Sequence, residues 1–166
     1  MLTGSLAAAY YAAPRATQDV DLVLEVGPGK LSPLVRRLLE MGFYVSPEAA
    51  QEALETSGQF NAVDPEHGWK VDFILRKNRP FSAEEFSRRC TATVLGSEVS
   101  IVTLEDLILA KLEWMKLGES ELQRRDVIQL IEAGRGKLDA SYITRWAGEL
   151  SVLSEWTALR EAVGDP

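Results

Sequence analysis

Two aspartates separated by one residue, Asp19 and Asp21, are the residues of this chain best suited to chemistry. They begin a run of alternating character, and side chains at positions i and i+2 of a β-strand point to the same face. Two neighbouring carboxylates repel each other unless a cation lies between them, so the pair predicts a site for Mg²⁺ or Mn²⁺. The alternative is a solvated strand face. We favour the metal site because aspartate is disfavoured in strands.

A Gly4-Ser5 pair precedes these acids and opens a stretch of helical character at residues 6–13. The first turn of a helix offers unpaired N–H groups and positive potential to a phosphate. Gly4 and Ser5 are therefore predicted to hold the phosphates of a nucleotide. A phosphate site beside a divalent-cation site is what an enzyme needs for nucleotidyl transfer.

A third acid, Asp72, lies in the middle of a second apolar run. Alone, it is best interpreted as an exposed acid on an edge strand. Together with the Asp19–Asp21 pair, it is better explained as a third metal ligand or as a catalytic base. Thr17, two residues before Asp19, is interpreted either as a phosphate contact or as a turn hydroxyl.

Two further charged residues fall on predicted helices. Lys111 lies on the buried stripe of its helix, seven residues after Leu104, and lysine is rarely buried without a partner. Its ammonium either extends to solvent from a buried stem or contacts a triphosphate, and the residues favour neither. Asp126 is interpreted as a partner for Lys111 or for an arginine, or as a member of an ion pair within its own helix.

The elements that must position these residues follow from hydrophobic periodicity and turn signals. Gly27-Pro28-Gly29 predicts a turn, and Thr103 with Asp106 resembles a capping box. Strands are predicted at 19–26, 43–45, 60–63, 69–76, 92–95 and 98–102, with residues 1–3 ending another. Helices are predicted at 6–13, 31–41, 47–56, 82–89, 103–116, 120–133, 140–150 and 152–163. The fold class is α/β (α+β): a mixed sheet flanked by helices over residues 1–102, with a C-terminal helical lobe over 103–166, together one compact unit.

Composition narrows the class of protein. The chain has 166 residues, 46% of them hydrophobic, and a net charge of −7, which argues against a broad non-specific nucleic-acid surface without excluding a local basic groove. Its single cysteine, Cys90, excludes an intramolecular disulfide, and its single histidine, His67, excludes a histidine-rich metal site. With no signal peptide and no apolar run long enough to cross a bilayer, we expect a cytoplasmic protein without membrane contact.

The run Leu2-Thr3-Gly4-Ser5, followed by the segment from Arg15 to Leu22, resembles the motif of the DNA polymerase beta-like nucleotidyltransferase superfamily. Its Arg-x-Thr-x-Asp-x-Asp form is most similar to the AbiEii-like proteins of bacteria, which include toxins of toxin–antitoxin systems. The resemblance covers roughly residues 2–132. It implies that Asp72 is the third acid, that Lys111 matches the helix lysine of the AbiEii-like proteins, and that Asp126 matches their later aspartate.

The resemblance implies transfer of a nucleoside monophosphate from a nucleoside triphosphate to a hydroxyl on RNA (such as a tRNA), a protein or a small molecule, with an antitoxin as a partner. Family members usually carry a helix and a full strand before the Gly-Ser pair, whereas three residues precede Gly4 here. We therefore expect that the chain is truncated or that its start is misassigned, and that the phosphate-binding turn is poorly supported as a result. A catalytically silent module that binds nucleotide or a partner is the alternative function.

Overall fold

Seven strands and eight helices form the part of the chain that the computed structural model describes, residues 1–12, 17–118 and 121–164. The strands are β1 (Leu2–Thr3), β2 (Asp19–Leu24), β3 (Tyr44–Val45), β4 (Gln59–Val63), β5 (Lys70–Leu75), β6 (Cys90–Val94) and β7 (Ser97–Ile101). The helices are α1 (Gly4–Tyr11), α2 (Pro28–Glu40), α3 (Pro47–Thr56), α4 (Pro80–Arg88), α5 (Leu104–Gly118), α6 (Glu121–Ala133), α7 (Ala140–Glu149) and α8 (Leu153–Ala162). Every predicted element is present, with ends that differ by a few residues.

The chain divides into two compact units. One comprises Met1–Leu6 and Arg15–Ile101, and the other comprises Ala7–Pro14 and Val102–Pro166. All seven strands belong to the first unit and form one sheet in the order β3-β4-β5-β2-β1-β7-β6. The pairs β2–β5 and β1–β7 are parallel and the other neighbours are antiparallel, so the predicted mixed α/β architecture is confirmed.

Helices α2 and α3 cover one face of the central strands. Phe60 of β4 and Phe73 of β5 stack there, with ring centroids 4.9 Å apart. Leu22 and Leu24 of β2 add partly buried side chains to the same core. Alternation along β2 therefore directs its leucines into the core and leaves its two aspartates on the opposite face, as the sequence predicted. Fully or nearly buried core residues are Leu31, Val35, Leu38, Val45, Ala50, Ala53, Phe60, Ala62, Phe73 and Leu75.

Pro28 and Gly29 are the first residues of α2 rather than part of a free turn, so that prediction was wrong. Gly27 is the extended N-cap of α2, and Pro28 takes the first helical position. Proline suits that position because its fixed φ matches the helix and its missing N–H would have no helical acceptor. Helix α3 begins in the same way at Pro47, with the Ser46 hydroxyl accepting a hydrogen bond from the Ala49 N–H at 3.1 Å.

The second unit is built around helices α5 to α8. The start of α5 resembles a capping box, as predicted. The Thr103 hydroxyl donates to the Asp106 carboxylate at 2.6 Å and accepts from the Asp106 N–H at 3.4 Å. The other carboxylate oxygen of Asp106 accepts from the buried Tyr142 hydroxyl at 2.5 Å. This contact connects α5 to α7 inside the core. The large side chains that are fully buried in this unit include Leu107, Ile108, Leu112, Leu130, Ile131, Ile143 and Trp156.

Within the described ranges, none of the helices combines the length and the apolar character needed to cross a membrane.

Candidate active site

The acids predicted from sequence meet on the sheet face opposite α2 and α3. Strands β2 and β5 are parallel neighbours, and their register pairs Asp21 with Asp72. Paired residues on adjacent strands have their side chains on the same face, with backbones about 4.8 Å apart. Asp19 lies two residues before Asp21 and shares this face. Two acids distant in sequence are thus adjacent in the fold, and the three form what we call the acid face: Asp19, Asp21 and Asp72.

Asp72 is not the exposed edge-strand acid that its local sequence suggested. Strand β5 lies between β4 and β2 in the sheet, and the Asp72 side chain is only 14% exposed. A carboxylate so far removed from water needs compensating partners, because burial without them disfavours its charged form. The environment of Asp72 therefore supports the interpretation in which the acid belongs to a site.

A second feature of the acid face is the start of α1 beside Asp21. Gly4 has φ +64°, a conformation that favours glycine, and a β-carbon built on it would overlap the Asp21 carboxyl group and lie 2.8 Å from Asp21 Cβ. The Ser5 N–H donates to Asp21 Oδ2 at 3.3 Å. The first turn of α1 thus directs a backbone donor at a negative group. Phosphate binding by Gly4 and Ser5 remains a prediction, but the geometry suits an anion.

Lys70 is a cation on the acid face that the sequence interpretation left without a role. The β2–β5 register pairs it with Asp19, and its Nζ donates to Asp72 Oδ2 at 2.8 Å. The hydrogen bond to Asp72 raises the pKa of Lys70; burial opposes the rise, and the charges of Asp72, Asp19 and Asp21 add to it. The spacing Lys70-x-Asp72 was the available signal, since both residues lie on one strand face.

Two uncharged residues extend the polar row across the sheet, and sequence analysis missed both. Thr3 of β1 is paired with Asp21, and Asn61 of β4 is paired with Asp72. The row therefore crosses four strands in the order Thr3, Asp21, Asp72, Asn61. Asn61 could have been found as a polar residue between Phe60 and Ala62, which point to the opposite face. Finding Thr3 required knowledge of the strand pairing.

The carboxylates of the acid face offer oxygen donors to a divalent metal ion. Among the described residues, no group of three His, Cys, Asp or Glu side chains is already arranged to hold a metal ion, so the predicted ligand set Asp19, Asp21 and Asp72 is not preassembled. Its oxygen donors are nonetheless those that Mg²⁺ and Mn²⁺ prefer. A cation, the Lys70 ammonium, already lies within the field of all three acids. The chemistry of the face therefore fits a hard cation.

Thr17 takes the turn role that was one of its two interpretations. Its hydroxyl oxygen accepts a hydrogen bond from the Asp19 N–H at 3.1 Å, which fixes the chain as it enters β2. A contact from Thr17 to phosphate remains a prediction. Arg15 and Ala16, which belong to the same motif, lie outside the described residues.

Lys111 and Asp126 are partners inside the helical unit. Lys111 Nζ donates to Asp126 Oδ2 at 2.7 Å and to Gln123 Oε1 at 3.1 Å, and both charged side chains are 4% exposed. The ammonium does not reach solvent, so that interpretation of Lys111 was wrong. The pair joins α5 to α6, so an ion pair within one helix was also wrong for Asp126. The predicted nucleotide-binding role of both residues remains a prediction.

The mixed sheet and the helices packed against it define the α/β fold of this protein. One solved structure has a similar fold: an antigenic nucleotidyltransferase-like protein from Paracoccidioides brasiliensis matches this chain with a TM-score of 0.55 and 18% identity. The match covers 96% of this chain and 83% of that one. No family model and no curated protein matches the sequence. The fold is therefore nucleotidyltransferase-like.

Proposed function

We propose that this protein is a metal-dependent nucleotidyltransferase that moves a nucleoside monophosphate from a nucleoside triphosphate to an acceptor hydroxyl. The observation that carries the proposal is the β2–β5 register, which brings Asp72 beside Asp21 on the face where α1 begins. Carboxylates and helix N–H donors at one place suit a substrate that carries both a divalent cation and a triphosphate. The nucleotidyltransferase-like fold supports the same conclusion.

In this proposal Asp19, Asp21 and Asp72 would hold Mg²⁺ or Mn²⁺. When bound, such a cation neutralises charge on the triphosphate and on the departing pyrophosphate. Gly4 and Ser5 offer the backbone at the start of α1 to the β- and γ-phosphates. Asp72 accepts the proton of the acceptor hydroxyl. The acceptor oxygen forms a bond to the α-phosphorus while the α–β bridging bond breaks, and pyrophosphate leaves in line.

The acceptor and the biological setting belong to the finer part of the proposal. The resemblance to AbiEii-like proteins favours a toxin of a toxin–antitoxin pair, with a tRNA or another RNA, a protein or a small molecule as acceptor. Direct contacts from Thr17 and Lys111 to the triphosphate are also predicted. Each of these side chains already has a partner within the chain, so a phosphate contact would have to share or replace that hydrogen bond. A cytoplasmic location completes this setting.

The test is transfer of label from each α-³²P nucleoside triphosphate in the presence of Mg²⁺ or Mn²⁺ and cell extract. We expect Asp21→Asn to lower transfer at least a hundredfold, since metal ligands supply several kcal/mol of transition-state stabilisation. Glu98→Gln is the matched control, because it removes one negative charge from an exposed position on β7 of the same sheet. Activity of Asp21→Asn above about one per cent of wild type would contradict the proposed role.

A second function is favoured by one observation, the occupation of Asp72 by Lys70. A silent module that binds nucleotide would tolerate such a pair permanently, since it needs no base. Nucleotide binding that depends on Mg²⁺, without label transfer to any component of the extract, would favour this function over the enzyme.

A further inference from the structure

Lys70 shares the acid face with the residues proposed to bind metal. It begins β5 two positions before Asp72, so both side chains project from the same face of the strand. The neighbouring strand places Asp19 opposite Lys70 and Asp21 opposite Asp72. The ammonium is thus at one corner of a four-residue square whose other corners are carboxylates.

The ammonium and a divalent cation would use the same oxygen donors. Lys70 Nζ lies 2.8 Å from Asp72 Oδ2, a distance typical of a charge-assisted hydrogen bond. The Lys70 side chain is 39% exposed while the Asp72 side chain is 14% exposed, so the lysine has room to withdraw and the aspartate does not. Asp72 shares its face with the like charges of Asp19 and Asp21, and the three carboxylates repel one another unless a cation lies among them.

We propose that Lys70 is the resident counter-cation of the acid face: it neutralises Asp72 in the metal-free protein, and a divalent cation must displace it to bind. This inference rests on the proposed function. Lys70 is then a positioning residue whose release accompanies loading of the site. Its removal should make metal binding easier while making the metal-free protein less stable.

The experiment measures Mn²⁺ binding by the electron paramagnetic resonance signal of free Mn²⁺ in the full, metal-free chain. Lys70→Met keeps the aliphatic stem and removes the charge. We expect it to bind Mn²⁺ about fivefold more tightly than wild type, the upper end of the range for loss of a partly exposed ion pair. Lys70→Arg retains the charge and should change affinity by less than about threefold. Lys77→Met, which makes the same charge change just beyond β5, is the matched control.

A second readout is thermal stability. Metal-free Lys70→Met should melt below wild type because its acids repel each other, and Mn²⁺ should raise its melting temperature more than that of wild type. If Lys70→Met binds Mn²⁺ no more tightly than Lys77→Met, the counter-cation role is overturned. Should the variant fail to fold, the wild-type Lys70 ¹³Cε resonance decides: a shift during Mg²⁺ titration supports displacement, and a constant resonance overturns it.

The same Mn²⁺ assay separates failure of this inference from failure of the proposed function. Asp21→Asn should abolish Mn²⁺ binding if the acid face is the metal site. Loss of binding in Asp21→Asn with no gain in Lys70→Met would overturn only the role of Lys70. Binding that Asp21→Asn leaves unchanged, or no binding by any of the proteins, would overturn both.

Discussion

Replacing Gly4 with alanine should destabilise the first unit by much more than a Gly→Ala change usually does. The residue combines two constraints: a φ of +64° and an Asp21 carboxyl group in the space that a β-carbon would fill. An alanine there must strain its backbone, and it must also push Asp21 away from the Ser5 N–H. The expected loss therefore has separable parts.

Each part has a magnitude. The left-handed backbone costs a non-glycine residue about 1–2 kcal/mol. Forcing Asp21 from its rotamer costs about 0.5–1.5 kcal/mol. Losing the Ser5–Asp21 hydrogen bond, which is long at 3.3 Å, costs about 1 kcal/mol. The sum is about 2.5–4.5 kcal/mol, a large fraction of the stability of a domain of this size.

Urea denaturation followed by far-UV circular dichroism measures this loss. Gly42→Ala is the matched control, because Gly42 has φ +88° and open space where its β-carbon would lie, so only the backbone part applies. In the Asp21→Ala background, Gly4→Ala should cost less, although Asp21 Cβ still lies 2.8 Å away. A Gly4→Ala loss no greater than the Gly42→Ala loss would refute the reasoning.

Two further predictions concern charged groups. Lys111→Met should destabilise the protein by about 3–5 kcal/mol because it removes the cation 2.7 Å from the buried Asp126 carboxylate. The more exposed Lys116→Met should cost under about 1 kcal/mol. Equal losses of the two variants in urea denaturation would contradict a stabilising role of the buried pair. The hydrogen bond from the Glu66 N–H is the main cause that lowers the pKa of Asp64, so the Asp64 carboxylate stabilises the fold above its unfolded pKa of 3.8. This stabilisation is lost as the pH falls through the lower, folded pKa, so the melting temperature should fall less between pH 6 and pH 2 for Asp64→Asn than for wild type. Parallel melting-temperature curves for the two proteins would exclude this contribution.

Local patterns were enough to predict the elements and the faces of β2. Alternation separated its aspartates from its leucines, and the turn at residues 64–69 joined β4 to β5 as a hairpin. The exception was the start of α2, where proline fits both a turn and a first helical position. Local sequence is enough for these predictions because the type of an element and the direction of its side chains depend mainly on residues a few positions away.

Pairings between distant strands and helices were beyond local reasoning. Asp21 and Asp72 are 51 positions apart, and only the parallel β2–β5 register makes them neighbours. The same holds for the partner of Lys111, for which several candidates existed until α5 packed against α6. Lys70 was missed for a related reason. A lysine two residues from an aspartate is common, and Lys70 stands out only once the fold places it beside Asp19 and Asp21 as well.

The acid face also restricts how the chain length of this protein can vary during evolution. Because side chains alternate along a strand, adding or deleting one residue inside β5 ahead of Asp72 would turn that acid toward the apolar core and bring a core residue to the acid face. Changes by two residues preserve the face but slide Asp72 past Asp21. A change in the length of the turn between Val63 and Lys70 does not alter which face each residue of β5 occupies. Insertions among relatives should therefore accumulate in that turn, while the strand lengths stay constant.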